Sequence, residues 1–524
     1  MRCARVVRSI YPGSRQGCRA ALHHEEPILD TQFVNIIFGI KLREARQGAG
    51  LTLSEFAQRC EISPSYATEV EKGRKYPRVD KIMRMAEVLD VPYNELVSMT
   101  LAPHLQQLEG ALSSTLISEF PFAEFGLDAS DLVALLTKAP AKASALLSAL
   151  FEIGRQHDLK DEHVLLAALR SYQELHQNYF PDLEEAAAAF AAKHSLWDGS
   201  PVTAARLESF LTGGFGYRLD RATLTETAEL GSYRSVYIEG ARPELLINPA
   251  LQPNQIAFLL AREIGYQVLG LQERAQTSSP DRVQSFQQVL NDFRASYFAG
   301  ALIMPQASFL EEMRGLFEAS TWQPERLFAM LTRYEVTPEM LLYRFSELAP
   351  RFLRLKLHFL RVQGRNNHYR LVKRLNMNRL LMPSGLALHE HYCRRWLVIR
   401  LIQELENGLA GSDSGPHIGV QLSEFLKPRD RFLCFGFARP LALAPDVISS
   451  AIIGLQVDDQ ARETIHFLED EAVPFEIINE TCERCPLSPA ECAVRAAAPT
   501  VYEAKQRRTE RRAKLAEMLA SRGQ

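Results

Sequence analysis

A mainly helical protein with α/β parts is predicted by three observations along the 524 residues of this chain. Residues 40–97 carry apolar side chains at helical intervals, from Leu42, Ala45, Phe56 and Ala57 through Ile62, Val70, Ile82, Ala86 and Leu89, which reads as four or five short helices. Residues 101–194 turn rich in Ala, Leu and Glu, with SALLSALFEIGRQ and SDLVALLTKA helical in period and DLEEAAAAFAAK at 182–193 the strongest local helix former. Strand-like runs follow, VYIEG and ELLINP within 234–247 and, nearer the C-terminus, RFLCFGFARP and ISSAIIGLQV. The length leaves room for two or three domains beyond the first helical group.

Composition excludes several classes. The net charge of −3 is close to neutral, so affinity for a polyanion has to come from a local patch. No run approaches the ~18 consecutive apolar residues of a spanning helix, which removes a membrane partner. Eight cysteines in so long a chain suggest a reducing, cytoplasmic setting rather than a disulfide scaffold. Residues 1–32 hold Arg2, Arg5, Arg8, Arg15 and Arg19 with no acidic residue before Glu25 and no apolar core. They read as a disordered basic tail, or as sequence upstream of the true start.

Within 33–100 two helix starts are chemically marked. Thr52 with Glu55 is a capping box, and Ser63 precedes Pro64 at a first helical position. A tight turn between the second and third helices completes a helix-turn-helix pattern. The segment, most specifically SPSYATEVEKGRKYP, resembles the lambda-repressor-like (XRE-type) DNA-binding domain. That resemblance implies that the third helix, 64–72, enters the major groove of a double-stranded operator. Pro64 would open it, Tyr66, Ala67 and Val70 would face inward, and Ser65, Thr68 and Glu69 would face base edges. Lys72, Arg74, Lys75, Arg78, Lys81 and Arg84 form a one-sided basic cluster suited to phosphates. One departure stands out: Leu53 occupies a place where relatives often carry Gln.

Residues 101–200 are expected to be a helical linker that either pairs with a second subunit or packs on its own domain. In 201–370, the order strand, NPAL, turn and FLLAREIGYQ resembles the ImmA/IrrE-type zincin module, where a helical His-Glu-x-x-His supplies two zinc ligands and a general base. The matching positions here are Arg262, Glu263 and Tyr266, with both histidines gone. NDFRASYFAGALIMP resembles the module's next helix, and Asp292 stands where a glutamate completes the site, with Arg294 nearby. Arg262 would repel a cation, so no catalytic residues and no peptidase activity are expected. Glu263 and Asp292 should pair with Arg262 or Arg294, or lie exposed. The remaining cleft, with Arg262, Tyr266 and Arg294, suits an anionic small-molecule effector; the alternative is a scaffold that kept the fold and lost the pocket.

In 371–500 the run TCERCPLSPAECAVRAAAP places Cys482, Cys485 and Cys492 in a C-x2-C-x6-C array. Three thiolates need a fourth ligand, with Cys393 first and His389, His391 and Cys434 behind it. Zinc and an iron–sulfur cluster both accept such a set; free buried thiols are the alternative. Residues 501–524 read as a basic, solvated helix.

The whole order, with LLYRFSELAP, FLRV, EHYCRRW and the late cysteines, resembles the short-chain fatty acyl-CoA transcriptional regulators of bacteria. The resemblance implies control of acetate or propionate use, including glyoxylate or methylcitrate pathway genes, an acyl-CoA effector, and action as a homodimer or higher symmetric oligomer. The spacing before Cys492 departs from the nearest family form. Two other classes compete: a metallopeptidase that cleaves a repressor, which the missing histidines oppose, and an antitoxin-like DNA-binding partner of another protein.

Overall fold

The computed structural model describes residues 31–98, 124, 161–226, 229–278, 283, 285–378, 390–408 and 415–522. The basic tail up to residue 30, the helical runs expected between 101 and 160 and His389 lie outside the described residues. The chain divides into two compact units, the first ending near residue 158 apart from a short exchange at 119–121.

Among the described residues, the first unit contains five helices, α1 (Thr31–Gly48), α2 (Leu53–Arg59), α3 (Pro64–Glu71), α4 (Val79–Leu89) and α5 (Tyr93–Val97). Their starts follow the marked residues. Thr52 and Glu55 form the reciprocal box, and the Ser63 hydroxyl accepts the Tyr66 amide at 3.1 Å. Asp90 ends α4 in the left-handed conformation at φ 54°. Phe38, Leu42, Phe56, Ala67, Val70, Ile82, Met85 and Leu89 make one core. Helices α1 and α3 meet closely at Gly39, where a Cβ would lie 2.7 Å from the Val70 carbonyl oxygen. The sequence did not flag the Arg46 guanidinium, which donates to buried Glu71 at 2.5 Å and ties α1 to α3.

The second unit opens with α6 (Asp161–Leu175) and α7 (Pro181–Lys193). Of the two readings of 101–200, packing on their own domain describes these helices: α7 packs on the module helix α10 (Phe286–Ile303), where Phe180 meets Phe293 and Tyr297 edge to face. The tertiary core claimed them because Leu183, Ala187, Phe190 and Ala191 form an apolar stripe. A small sheet, in order β1 (Arg218–Asp220), β3 (Glu244–Ile247), β2 (Ser235–Ile238), precedes α9 (Pro253–Val268), with α8 (Ala204–Ser209) beside it. Helices α11 (Gln306–Phe317), α12 (Pro324–Tyr334) and α13 (Pro338–Phe352) follow. Fully buried Arg344 of α13 donates to Glu184 of α7 at 2.7 Å and to Glu347 at 2.9 Å.

A six-stranded sheet closes the unit, in order β5 (His368–Asn376), β4 (Leu357–Arg365), β8 (Ala444–Gln456), β7 (Arg431–Leu441), β6 (His417–Phe425), β9 (Phe475–Ile478), with β9 parallel to β6 and the rest antiparallel. The boundary expected at 370/371 is corrected: it would cut the β4–β5 hairpin, which pairs Arg361 with Lys373 and Gly364 with Tyr369. Helix α13 covers one face, with Phe345 against Phe435 and Tyr343 against Phe359, and α14 (Leu397–Glu406) covers the other. Helix α15 (Asp459–Thr464) and a final basic α16 (Thr500–Arg522) complete the described chain. Among the described residues, no helix is long and apolar enough to cross a membrane.

Candidate nucleic-acid interface and sensor sites

Helix α3 presents the expected face. Ala67 and Val70 are fully buried, Ser65 is exposed, and Thr68 and Glu69 are half-buried beside it. Pro64, which opens the helix, is exposed as well. The Thr68 hydroxyl donates to the Pro64 carbonyl at 2.8 Å. Glu69 meets Arg74 at 3.4 Å, a surface pair worth little against a DNA contact. Lys72 caps the helix half-buried, while Arg74, Lys75 and Arg78 are exposed. Two cations of the expected stripe are engaged within the unit. The Lys81 ammonium sits 4.0 Å over the Tyr66 ring, and Arg84 pairs with Glu61 at 3.1 Å.

The zincin-like site is closed and self-neutralised. Arg262, Glu263 and Tyr266 are 4 %, 3 % and 2 % exposed. Arg262 pairs with Asp292 and donates to the Ser278 carbonyl at 3.3 Å, and the Tyr266 hydroxyl donates to Asp292 at 3.1 Å. Burial opposes the Arg262 charge, but Asp292 more than restores it and holds the guanidinium protonated. Burial, reinforced by Asp292, pushes the Tyr266 phenol well up.

Glu263 pairs neither with Arg262 nor with Arg294. Arg274, which the sequence reading missed, donates to both its oxygens at 2.6 and 2.7 Å and lies 3.7 Å over the Tyr237 ring and 4.0 Å over Tyr266. Arg294 is also misplaced by the expectation: it turns outward to Asp182 of α7 at 2.7 Å. Two residues along a helix do not share a face, so Arg294 could not join Asp292. The anion-binding pocket expected of these five residues is therefore not open. A separate recess of 610 Å³ lies between α7 and α11–α12, lined by Tyr179, Trp197, Gln306, Arg333 and Tyr334, and none of the five reaches it.

The cysteines do converge. Backbone bonds tie the Cys393 amide to the Glu480 carbonyl at 3.2 Å and the Cys482 amide to the His391 carbonyl at 2.9 Å. Burial pushes the Cys393 thiol up to about 12, partly offset by backbone donors at Asn479 and Arg395, and Cys482 and Cys485 add to the rise. Burial also raises Cys485, with Cys492 and Cys482 acting on it. The Ala496 amide donates to the Cys482 sulfur at 3.3 Å. Amides aimed at sulfur are donors that a metal-bound thiolate uses, and they are present at Cys393, Cys482 and Cys485. Among the described residues, however, no three His, Cys, Asp or Glu side chains stand at metal-ligand spacing. Of the other ligand candidates, His391 is held by Glu483 at 2.7 Å and Cys434 accepts from Ser423 at 3.7 Å on β7.

Residues 42–96 match the helix-turn-helix family, and residues 218–346 match the IrrE N-terminal-like domain. The HTH-type transcriptional regulator RamB of Mycobacterium tuberculosis is 24% identical over 350 residues, 63% of this chain and 69% of RamB. The propionyl-CoA carboxylase regulator of Cereibacter sphaeroides is 23% identical over 318 residues, 56% of this chain and 65% of that protein. A solved Mycobacterium tuberculosis transcriptional regulator aligns at 16% identity over 63% of this chain and 92% of its own, with a TM-score of 0.43. The two domain matches and the curated relatives support the resemblance carried by the residues: this chain is a helix-turn-helix transcriptional regulator with a degenerate IrrE-like module, similar to the short-chain fatty acyl-CoA regulators.

Proposed function

We propose that this regulator binds a palindromic or repeated operator as a homodimer or higher symmetric oligomer in the bacterial cytoplasm. It controls genes of short-chain acyl-CoA use, with an acyl-CoA thioester as effector. The observation that carries DNA binding is the exposed polar face of α3 beside Lys72, Arg74, Lys75 and Arg78. The effector class draws on the relative named as a propionyl-CoA carboxylase regulator. Catalysis is no part of this reading, because Glu263, the residue at the general-base position, is spent on Arg274. Loss of one base contact by Ser65→Ala or Thr68→Ala costs about 1–3 kcal/mol at one operator position, whereas Arg78→Ala weakens all sequences alike and lowers the salt slope by about one. Footprinting with a triple alanine change at Ser65, Thr68 and Glu69 that leaves site preference intact refutes the placement of α3.

In this reading Cys393, Cys482, Cys485 and Cys492 hold zinc or an iron–sulfur cluster. Such a group supplies a cross-link that lasts only while the thiols are reduced. Metal analysis of anaerobically purified protein tests it: stoichiometric zinc or iron is expected, and Cys485→Ser releases it. Metal-free protein whose unfolding and operator binding ignore that substitution means free thiols.

A further inference from the structure

With the Arg262 site closed, the positive charge that lacks a partner lies elsewhere in the same unit. On the α13 face of the six-stranded sheet, Arg361 of β4 stands directly opposite Lys373 of β5. Arg361 donates to the Ser449 hydroxyl at 3.0 Å, and Ser449 stands opposite Arg439 of β7. Arg439 pairs with Glu339 in the first turn of α13 at 2.8 Å. Arg234, just before β2 in the IrrE-like module, is half-buried within electrostatic reach of Arg361, Glu339, Arg439 and Arg262. Among the described residues, no carboxylate lies within ion-pair distance of Arg234, Arg361 or Lys373.

We propose that Arg234, Arg361 and Lys373, beside the Arg439–Glu339 pair, form a binding site for a phosphate-bearing anion, between the IrrE-like module and the sheet.

The charge balance supports it. Asp292 is taken by Arg262, Glu339 by Arg439, and Glu184 and Glu347 share Arg344. Six cations thus face four carboxylates, an excess of two. Burial first and then Arg361 lower Arg234. Lys373 is exposed, its ammonium lies 3.6 Å over the Tyr343 ring, and Arg361 beside it opposes its charge while Glu347 favours it. Cations set this close repel one another, and a phosphate dianion supplies both the missing charge and acceptors for guanidinium forks. The site deepens the effector reading, since a CoA thioester carries such phosphates, but free pyrophosphate offers the same chemistry.

Calorimetry on the full chain at fixed ionic strength, with sodium pyrophosphate and with propionyl-CoA as probes, tests the site. Wild-type protein is expected to bind, and Arg361→Gln or Lys373→Gln to weaken binding about tenfold or more. A second readout separates this from a structural role: Lys373→Gln raises the ligand-free Tm, because it removes an uncompensated cation, whereas a lysine stabilising Glu347 lowers it when lost. Propionyl-CoA binding that neither substitution changes overturns the site and leaves the effector reading standing. Pyrophosphate binding weakened by both, without propionyl-CoA binding, supports the site and overturns the acyl-CoA effector. Binding of neither probe overturns the site.

Discussion

Helices α3 and α9 each present charged and polar residues at the places where their families do their chemistry, and only α3 leaves them open. On α3, Ser65 is exposed, and the neighbouring Arg74, Lys75 and Arg78 reach solvent. On α9, Arg262, Glu263 and Tyr266 are buried, and each is bonded to a partner brought by another segment. Residue type alone does not make a binding site. A guanidinium or carboxylate binds a ligand when its own fold has not already neutralised it.

The largest effect expected from that contrast is at Arg274. Its loss in Arg274→Met strands the buried Glu263 carboxylate, and chemical denaturation of the full chain should show about 3–5 kcal/mol of destabilisation. The double change with Glu263→Gln should recover most of it, because no uncompensated charge remains. If the single change costs less than the double, the pair is not what holds α9 shut.

Acid should then separate the two units. His358 on β4 is fully enclosed, and burial holds its imidazole down at about 4. The unfolded chain takes up this proton near pH 6.5 and the folded chain only near 4, so stability is complete above about 6.5 and falls by up to ~3 kcal/mol as pH drops to 4. Residues 31–98 contain no histidine. Unfolding followed from pH 7 to 4 should show the second unit weakening through this window, and His358→Asn flattening the slope.

The α3 face should give the converse result to α9. Ser65→Ala is expected to leave unfolding within about 0.5 kcal/mol of wild type, since its side chain is exposed and packs on nothing central. A large loss of stability there would place Ser65 in the core and remove the contrast. A modest effect, between these two, concerns the helix that supports α3: Thr52→Ala removes the α2 capping box and should cost about 1 kcal/mol of unfolding free energy.

Much of the first unit was legible in its residues. Thr52, Ser63 and the apolar spacing mark its helices because caps and periodicity act within a few residues of chain. The same local logic identified the strands β7 and β8, while the resemblance to the zincin module identified α9 and α10. It failed where a partner comes from far along the chain or from an unexpected angle. Arg274 lies 11 residues beyond Glu263, Asp182 lies 112 before Arg294, and Glu71 lies 25 beyond Arg46. No spacing rule reports these pairs.

The sequence by itself determined that both histidines of the zincin motif are missing, that α3 carries polar residues outward, and that three cysteines fall within 482–492. Those are matters of residue identity and helical period. Only the tertiary structure decided which charges are spent. It closed Arg262 on Asp292, and it set Arg234 and Lys373 near Arg361 with no carboxylate of their own among the described residues. The reason is physical: an ion's availability depends on the dielectric and the counter-charges around it, and packing brings those together from segments that are remote in sequence.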